Sequence, residues 1–249
     1  MKAKYLAPNF FTISSLIIGL VAMNAVMDGN LSEAAWLVAL SMVCDAFDGK
    51  IARFLNASSR FGAEMDSFAD FFVFGVTPGF LAYKAGLENM GIAGGIICII
   101  FILCGVSRLA KFNVYNDDLE NKKNFQGLPI PAAAGMVSSF ILINYHFFGK
   151  LTMLKPLTAL MVLLSLLMVS KIEYSSGTVK DKTSLKAKLL KLFVLTIIIS
   201  AIFYPVYVFF GINVLYTSSG IIKYLLTFKN QNKSKNNKNQ LSTDEGKND

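Results

Sequence analysis

The sequence predicts an all-α, polytopic membrane bundle with six core transmembrane helices and two further ones toward the C-terminal end. Three observations predict it. Of the 249 residues, 54% are hydrophobic and 16% charged, where soluble domains carry about a quarter charged residues. Apolar runs long enough to span a bilayer recur along the chain, and mean hydropathy is +0.51. Lys and Arg gather at the ends of those runs, so the net charge of +8 reads as membrane topology and not as nucleic-acid binding.

Taken in order, residues 1–9 carry Lys2 and Lys4 and form a juxtamembrane turn or elbow, followed by a first span over Phe10–Met27. That run is long enough to span and lacks a small-residue cleavage site, so it is expected to be retained. Asp28-Gly-Asn-Leu-Ser reads as a tight turn, with Ser32 as helix cap. The second span covers about Glu33–Phe54, and Asn56–Arg60 connects it to a third starting near Phe61, with a kink expected at Pro78-Gly79. Gly91–Val106 is the core of a fourth span, and a polar loop covers about Tyr115–Leu128. The fifth span, Ile130–Phe148, opens on the small residues Pro131 to Gly135, suited to close packing. Leu154–Val169 is the sixth. A basic loop over Lys171–Lys188 precedes a seventh span, Leu189–Phe210, and a short eighth over Gly211–Phe228. Residues 1–228 thus form one membrane domain. The tail 229–249, rich in Asn, Lys, Ser and Gln, is too poor in apolar surface to order itself.

Charge sets the orientation. With the amino terminus inside and eight spans, the outer loops hold only Lys84, Lys150 and Lys155 of the 24 Lys and Arg residues. Cys44, Cys98 and Cys104 lie within apolar segments without metal-ligand spacing and read as small buried hydrophobes. His146, at the end of a span, reads as an interfacial residue.

The exception to apolar spans is the stretch from Asp45 to Asp70. Asp45 and Asp48 are three apart, Asp66 and Asp70 four apart, so each pair shares a face of its own helix. Side by side, the helices bring four carboxylates to one point. Unpaired near a bilayer, these would repel one another and carry a heavy desolvation cost; a divalent cation removes both problems. Oxygen ligands without His or Cys favour Mg2+ or Mn2+ over zinc. The plainer alternative is a set of helix-end aspartates facing water. A divalent-metal transporter would also place aspartates in a membrane, but near its middle and with access from both sides.

The run D-x-x-D-G-x-x-A-R, eight residues, G-x-x-x-D-x-x-x-D resembles the signature of the CDP-alcohol phosphatidyltransferase family, with Asp45, Asp48, Gly49, Ala52, Arg53, Gly62, Asp66 and Asp70 all in place. The resemblance implies a six-helix membrane core whose aspartates hold one or two metal ions at the diphosphate of CDP-diacylglycerol. It implies Gly49, Ala52, Arg53 and Gly62 around nucleotide and phosphate, and Asp70 as both ligand and general base. Small residues there let the nucleotide approach the backbone, and Arg53 offers a forked donor; as an inner-end charge it also serves topology. Arg108-Leu-Ala-Lys111-Phe-Asn113 and the later Phe125-Gln-Gly127-Leu-Pro129-Ile-Pro131 are similar to the phosphatidylserine synthase branch, departing from it in Lys111, where Arg is commoner. That branch implies L-serine as acceptor, with Arg108, Lys111, Asn113 and Gly127 around it, and phosphatidylserine and CMP as products. It also implies a homodimer in the cytoplasmic membrane, and the charge asymmetry independently puts the four aspartates on the cytoplasmic side. The alternative is a sister enzyme using glycerol 3-phosphate or an inositol phosphate, although a phosphorylated acceptor would want a denser cationic cluster.

Overall fold

The computed structural model describes residues 6–54, 60–117, 127–172, 174, 196–197 and 199–245, and every regular element among them is helical. The order is α1 (Leu6–Met27), α2 (Leu31–Phe54), α3 (Arg60–Asp70), a π-helical turn (Phe71–Val76), α4 (Thr77–Ala85), a 3-10 turn (Leu87–Met90), α5 (Ile92–Asp117), α6 (Ile130–Phe148), α7 (Leu154–Val169) and α8 (Pro205–Glu245).

Phe10–Met27, Ile92–Val114, Ile130–Phe148 and Pro205–Leu226 are long and apolar enough to cross a membrane. The 24-residue α2 matches them in length, but Asp45, Asp48, Lys50 and Arg53 charge its last turns. Outward-facing side chains agree with a lipid surrounding: on α5 alone Ile96, Ile99, Ile100 and Leu103 are exposed, a stripe that water would penalise and acyl chains accept. The chain is a polytopic helical membrane protein.

Small residues set the inner packing. Ala22, Ala25, Ala34, Ala35 and Val38 are buried between α1 and α2. Higher in the same seam, Ser15 Oγ donates to the Ser41 carbonyl and Ser41 Oγ to that of Ser15, each at 3.3 Å. Reciprocal hydroxyls of this kind satisfy themselves where no water is at hand. Helix α6 is the most enclosed, packing against α2, α4, α7 and α8, with Ala133, Ala134 and Gly135 buried at its start. Helix α5 packs along α7.

The expected kink near Pro78 is built as a change of helix type. Proline lacks an N–H and its ring crowds the carbonyl four residues back. The chain meets this by widening the turn before it: the Thr77 N–H bonds the Phe72 carbonyl five residues back, and Thr77 Oγ1 donates to the same oxygen at 3.1 Å.

Several boundaries differ from the sequence reading. Helix α1 begins at Leu6, within the expected juxtamembrane elbow, and α2 begins at Leu31, which puts Ser32 inside the first turn and not at the cap. Helix α5 continues to Asp117, into the expected loop. The break near the C-terminal end falls at Tyr204-Pro205 instead of Gly211, because proline cannot continue a helix but is well suited to start one. The tail expected to lack order from residue 229 continues α8 as helix to Glu245. Extending an existing helix costs far less than nucleating one, and Lys and Gln support it. Most of the connections 56–60, 115–128 and 171–188, and the start of the seventh span, lie outside the described residues.

Candidate active site

At one end of the bundle α2, α3 and α5 converge on a cavity of about 450 Å³. Asp45 and Asp48 line it from α2, Asp66 and Asp70 from α3, and Arg108 and Asn113 from α5. Helical phase alone explains the carboxylates, since positions three or four apart present one face. Asp45, Asp48 and Asp66 each offer an oxygen within 4.8 Å of the others. Asp70 sits beside this trio, its carboxyl within hydrogen-bonding reach of Asp45 and electrostatically close to Asp66 and Arg108.

Asp48 is buried, 6% exposed, and accepts a hydrogen bond from Thr12 Oγ1 at 2.9 Å. Among the described side chains, which do not include those of Arg53 and Arg60, no Lys or Arg reaches ion-pair distance of the four aspartates; the Lys84–Glu88 pair lies elsewhere. Like charges this crowded need a counter-charge, and a donor set of carboxylate oxygens without nitrogen or sulfur fits a hard divalent cation.

Arg108 is 8% exposed, with its guanidinium 5.0 Å from the Phe112 ring centroid. It interacts electrostatically with both Asp70 and Tyr216. Asn113 Nδ2 donates to Ser67 Oγ at 2.9 Å, tying α5 to α3 beside the aspartates.

The sequence-derived site residues sort by place. The four aspartates, Gly49, Arg108 and Asn113 line the cavity. The side chains of Ala52 and Arg53 lie outside the described residues. Gly62 is half-buried on α3 and does not line the cavity. Lys111 is exposed and off the cavity wall: three residues on from Arg108 is nearly a full turn, but α5 is buried on Arg108's side only.

Gly127 also stands away from the cavity. Its φ is +83°, and a Cβ there would sit 2.3 Å from the Met168 carbonyl oxygen. Its N–H donates to the Ile172 carbonyl at 2.9 Å, and that of Leu128 to the Leu167 carbonyl at 3.0 Å. Glycine at this place docks the segment before α6 onto the end of α7, an approach no other residue permits. The residues that do reach the cavity from this segment are Pro129 and Pro131.

Sequence reasoning missed Thr12, Ser67, Tyr174 and Tyr216. Thr12 looks like any span threonine until α1 is laid along α2. Tyr174 and Tyr216 are brought to the cavity by chain that lies far from the motif, and no spacing signals them.

The comparisons agree with this geometry. Residues 5–227 match the model of the family described as CDP-alcohol phosphatidyltransferase. A CDP-diacylglycerol–serine O-phosphatidyltransferase of Helicobacter pylori is 37% identical over 236 residues, 92% of this chain and 97% of that protein. One of Bacillus subtilis is 38% identical over 139 residues, 56% of this chain and 76% of its own length. An archaetidylserine synthase of Methanothermobacter thermautotrophicus is 35% identical over 169 residues, covering 67% of this chain and 68% of its own. With a match over nearly its whole length, and with the aspartates of the motif gathered at one cavity, the chain belongs to the CDP-alcohol phosphatidyltransferase family.

Proposed function

We propose that the protein transfers the phosphatidyl group of CDP-diacylglycerol to the hydroxyl of L-serine, giving phosphatidylserine and CMP. The observation that carries this reading is the pairing, in one cavity, of the aspartate cluster with the buried cation Arg108. The first suits a diphosphate with its metal; the second suits an acceptor bearing a carboxylate. The names of the relatives support the same acceptor.

Asp45, Asp48, Asp66 and Asp70 would hold Mg2+ or Mn2+, which supplies neutralising charge to the diphosphate oxygens when bound. Asp70 is the general base. As the serine oxygen forms its bond to the phosphatidyl phosphorus, the bond from that phosphorus to the oxygen of CMP breaks, and the hydroxyl proton passes to Asp70. A carboxylate is a far weaker base than an alkoxide, so the proton moves as the new bond forms, and correct placement carries much of the rate. Gly49, without a side chain at the cavity wall, leaves room for the nucleotide; Ala52, Arg53 and Gly62 belong to the same nucleotide region by motif. Arg108 receives the serine carboxylate. The outward-facing apolar helices keep the acyl chains of the substrate in lipid beside the site.

In the same reading the site faces the cytoplasm from the cytoplasmic membrane, as the charge asymmetry supports, and the protein works as a homodimer, as its family resemblance implies. The deciding experiment gives purified protein CDP-diacylglycerol with serine, glycerol 3-phosphate, inositol phosphate or no acceptor, and identifies the lipid products by mass spectrometry. Phosphatidylserine and stoichiometric CMP are expected. Transfer to glycerol 3-phosphate in preference to serine would move the protein to a sister activity.

A further inference from the structure

The wall of the cavity that faces Arg108 is built by chain far from the aspartate motif. Tyr216 lines the cavity from α8 and interacts with the Arg108 guanidinium. Its ring is backed by Tyr174, with centroids 5.7 Å apart and planes inclined by 31°. Tyr174 is 3% exposed, and its hydroxyl donates to the Thr217 carbonyl at 3.3 Å. It reaches that depth because α8 carries Gly220 there: a Cβ at Gly220 would lie 2.2 Å from Tyr174 Cε1. The segment bearing Tyr174 is itself fixed, since the Ile172 carbonyl accepts from the Gly127 N–H and the Ile172 N–H donates to Ser170 Oγ. Tyr216 is thus backed by a buried, hydrogen-bonded ring.

Arg108 has unspent capacity on this side. Among the described residues its fork meets no carboxylate at ion-pair distance, while its guanidinium lies over the Phe112 ring, 5.0 Å from the centroid. A buried guanidinium that lies over an aromatic ring and lines a cavity is suited to receive a planar anion. A phenol beside it adds a neutral donor. Two donors of different kinds, set on separate elements, discriminate a carboxylate from the carboxamide of the same shape, because only the carboxylate accepts from both with charge.

We propose that Tyr216 is a specificity residue of the acceptor site, its hydroxyl and the Arg108 guanidinium together receiving the carboxylate of the incoming amino-acid alcohol, with Tyr174 as its positioning residue. The inference rests on the function proposed above and adds the C-terminal helix to the site that selects the acceptor.

The test uses the full-length protein in lipid vesicles. Tyr216→Phe removes the hydroxyl and keeps the ring, so the serine KM should rise about ten-fold, the loss of one hydrogen bond to a charged group, with the CDP-diacylglycerol KM within about two-fold of wild type. The ratio of kcat/KM for serine to that for serinamide should fall by a similar factor. That ratio is independent of the fraction of correctly folded protein. Gly220→Ala, which pushes Tyr174 and with it Tyr216 out of place, should lower the same ratio. An unchanged serine KM and ratio in Tyr216→Phe, in a wild type that makes phosphatidylserine, would overturn this inference alone. A rise confined to the CDP-diacylglycerol KM would also overturn it and assign the hydroxyl to the donor's phosphates. A wild type that makes no phosphatidylserine would overturn the proposed function and this inference with it.

Discussion

Thr12 Oγ1 donates to Asp48 Oδ2 at 2.9 Å, from the first helix to the buried carboxylate of the second. The bond fixes the rotamer of an aspartate that shares its site with three other carboxylates. Thr12→Val keeps the shape and removes the donor. A hydrogen bond to a charged group contributes about 1.5–3 kcal/mol, so the Mg2+ or Mn2+ concentration for half-maximal activity should rise about ten-fold or more. Metal titrations of the two proteins at saturating substrate check this; equal midpoints would separate Thr12 from the site.

The aspartates themselves should act as a unit. Asp45→Asn and Asp66→Asn each leave the remaining ligands crowded and the set one charge short. Each should lower kcat by about two orders of magnitude or more, with the protein still present in the membrane fraction. EDTA should abolish wild-type turnover and added Mg2+ or Mn2+ restore it. Full activity in chelator would end the metal reading.

Arg108 and Lys111 should part company. Arg108→Ala is expected to raise the serine KM about ten- to a hundred-fold and to move the CDP-diacylglycerol KM little. Serinamide should be a poor acceptor for the wild type and lose little further in this variant. Lys111 is exposed and off the cavity wall, so Lys111→Ala should change the serine KM by less than about two-fold, as befits a solvent-facing charge. Parallel effects of the two substitutions would put Lys111 back at the site.

Gly127→Ala places a side chain both at positive φ and against the Met168 carbonyl. The conformation alone costs about 1–3 kcal/mol, and the contact at 2.3 Å forces the docked segment to shift. The thermal midpoint in detergent should fall, and the loss should exceed that of Gly29→Ala, where φ is +80° but nothing lies within 4 Å. Equal midpoints for the two variants would remove the docking role.

Orientation can be read by labelling. A cysteine at Asn89, in the turn between α4 and α5, should react with a membrane-impermeant reagent from outside intact cells. One at Asn56, in sequence between the two halves of the aspartate motif, should react only after the cytoplasmic face is opened. The reverse pattern would invert the topology drawn from Lys and Arg.

The sequence made some of this site plain and hid the rest for physical reasons. Spans five and six, Ile130–Phe148 and Leu154–Val169, coincide with α6 and α7 because each is an apolar run bounded by turn chemistry. The aspartates were legible because three- and four-residue spacing is a local property of one helix. Spacing relates Lys111 to Arg108, but which arc of α5 is covered depends on α7, α4 and the turns flanking α4, which leave Lys111 exposed. Gly127 announced an unusual backbone but not what the backbone was avoiding. Thr12, Tyr174 and Tyr216 depend wholly on tertiary packing, which no local pattern encodes.

The π-helical turn at Phe71–Val76 gives chain length a meaning at this site. Each of its hydrogen bonds closes over one residue more than in an α-helix, so it works as a phase adjuster between Asp66 and Asp70 before it and the core residues Leu81 and Ala82 after it. Removing one residue there would let the turn close as ordinary α-helix with the two halves in nearly the same phase, because the wide turn absorbs one extra residue. Removing one from the start of α4 instead would swing one half about 100° relative to the other. The carboxylates would then turn away from the cavity if the rest of α4 kept its apolar contacts. The wide turn thus tolerates a change of length that the flanking α-helix would not, and the site is aimed by a count of residues as much as by their kind.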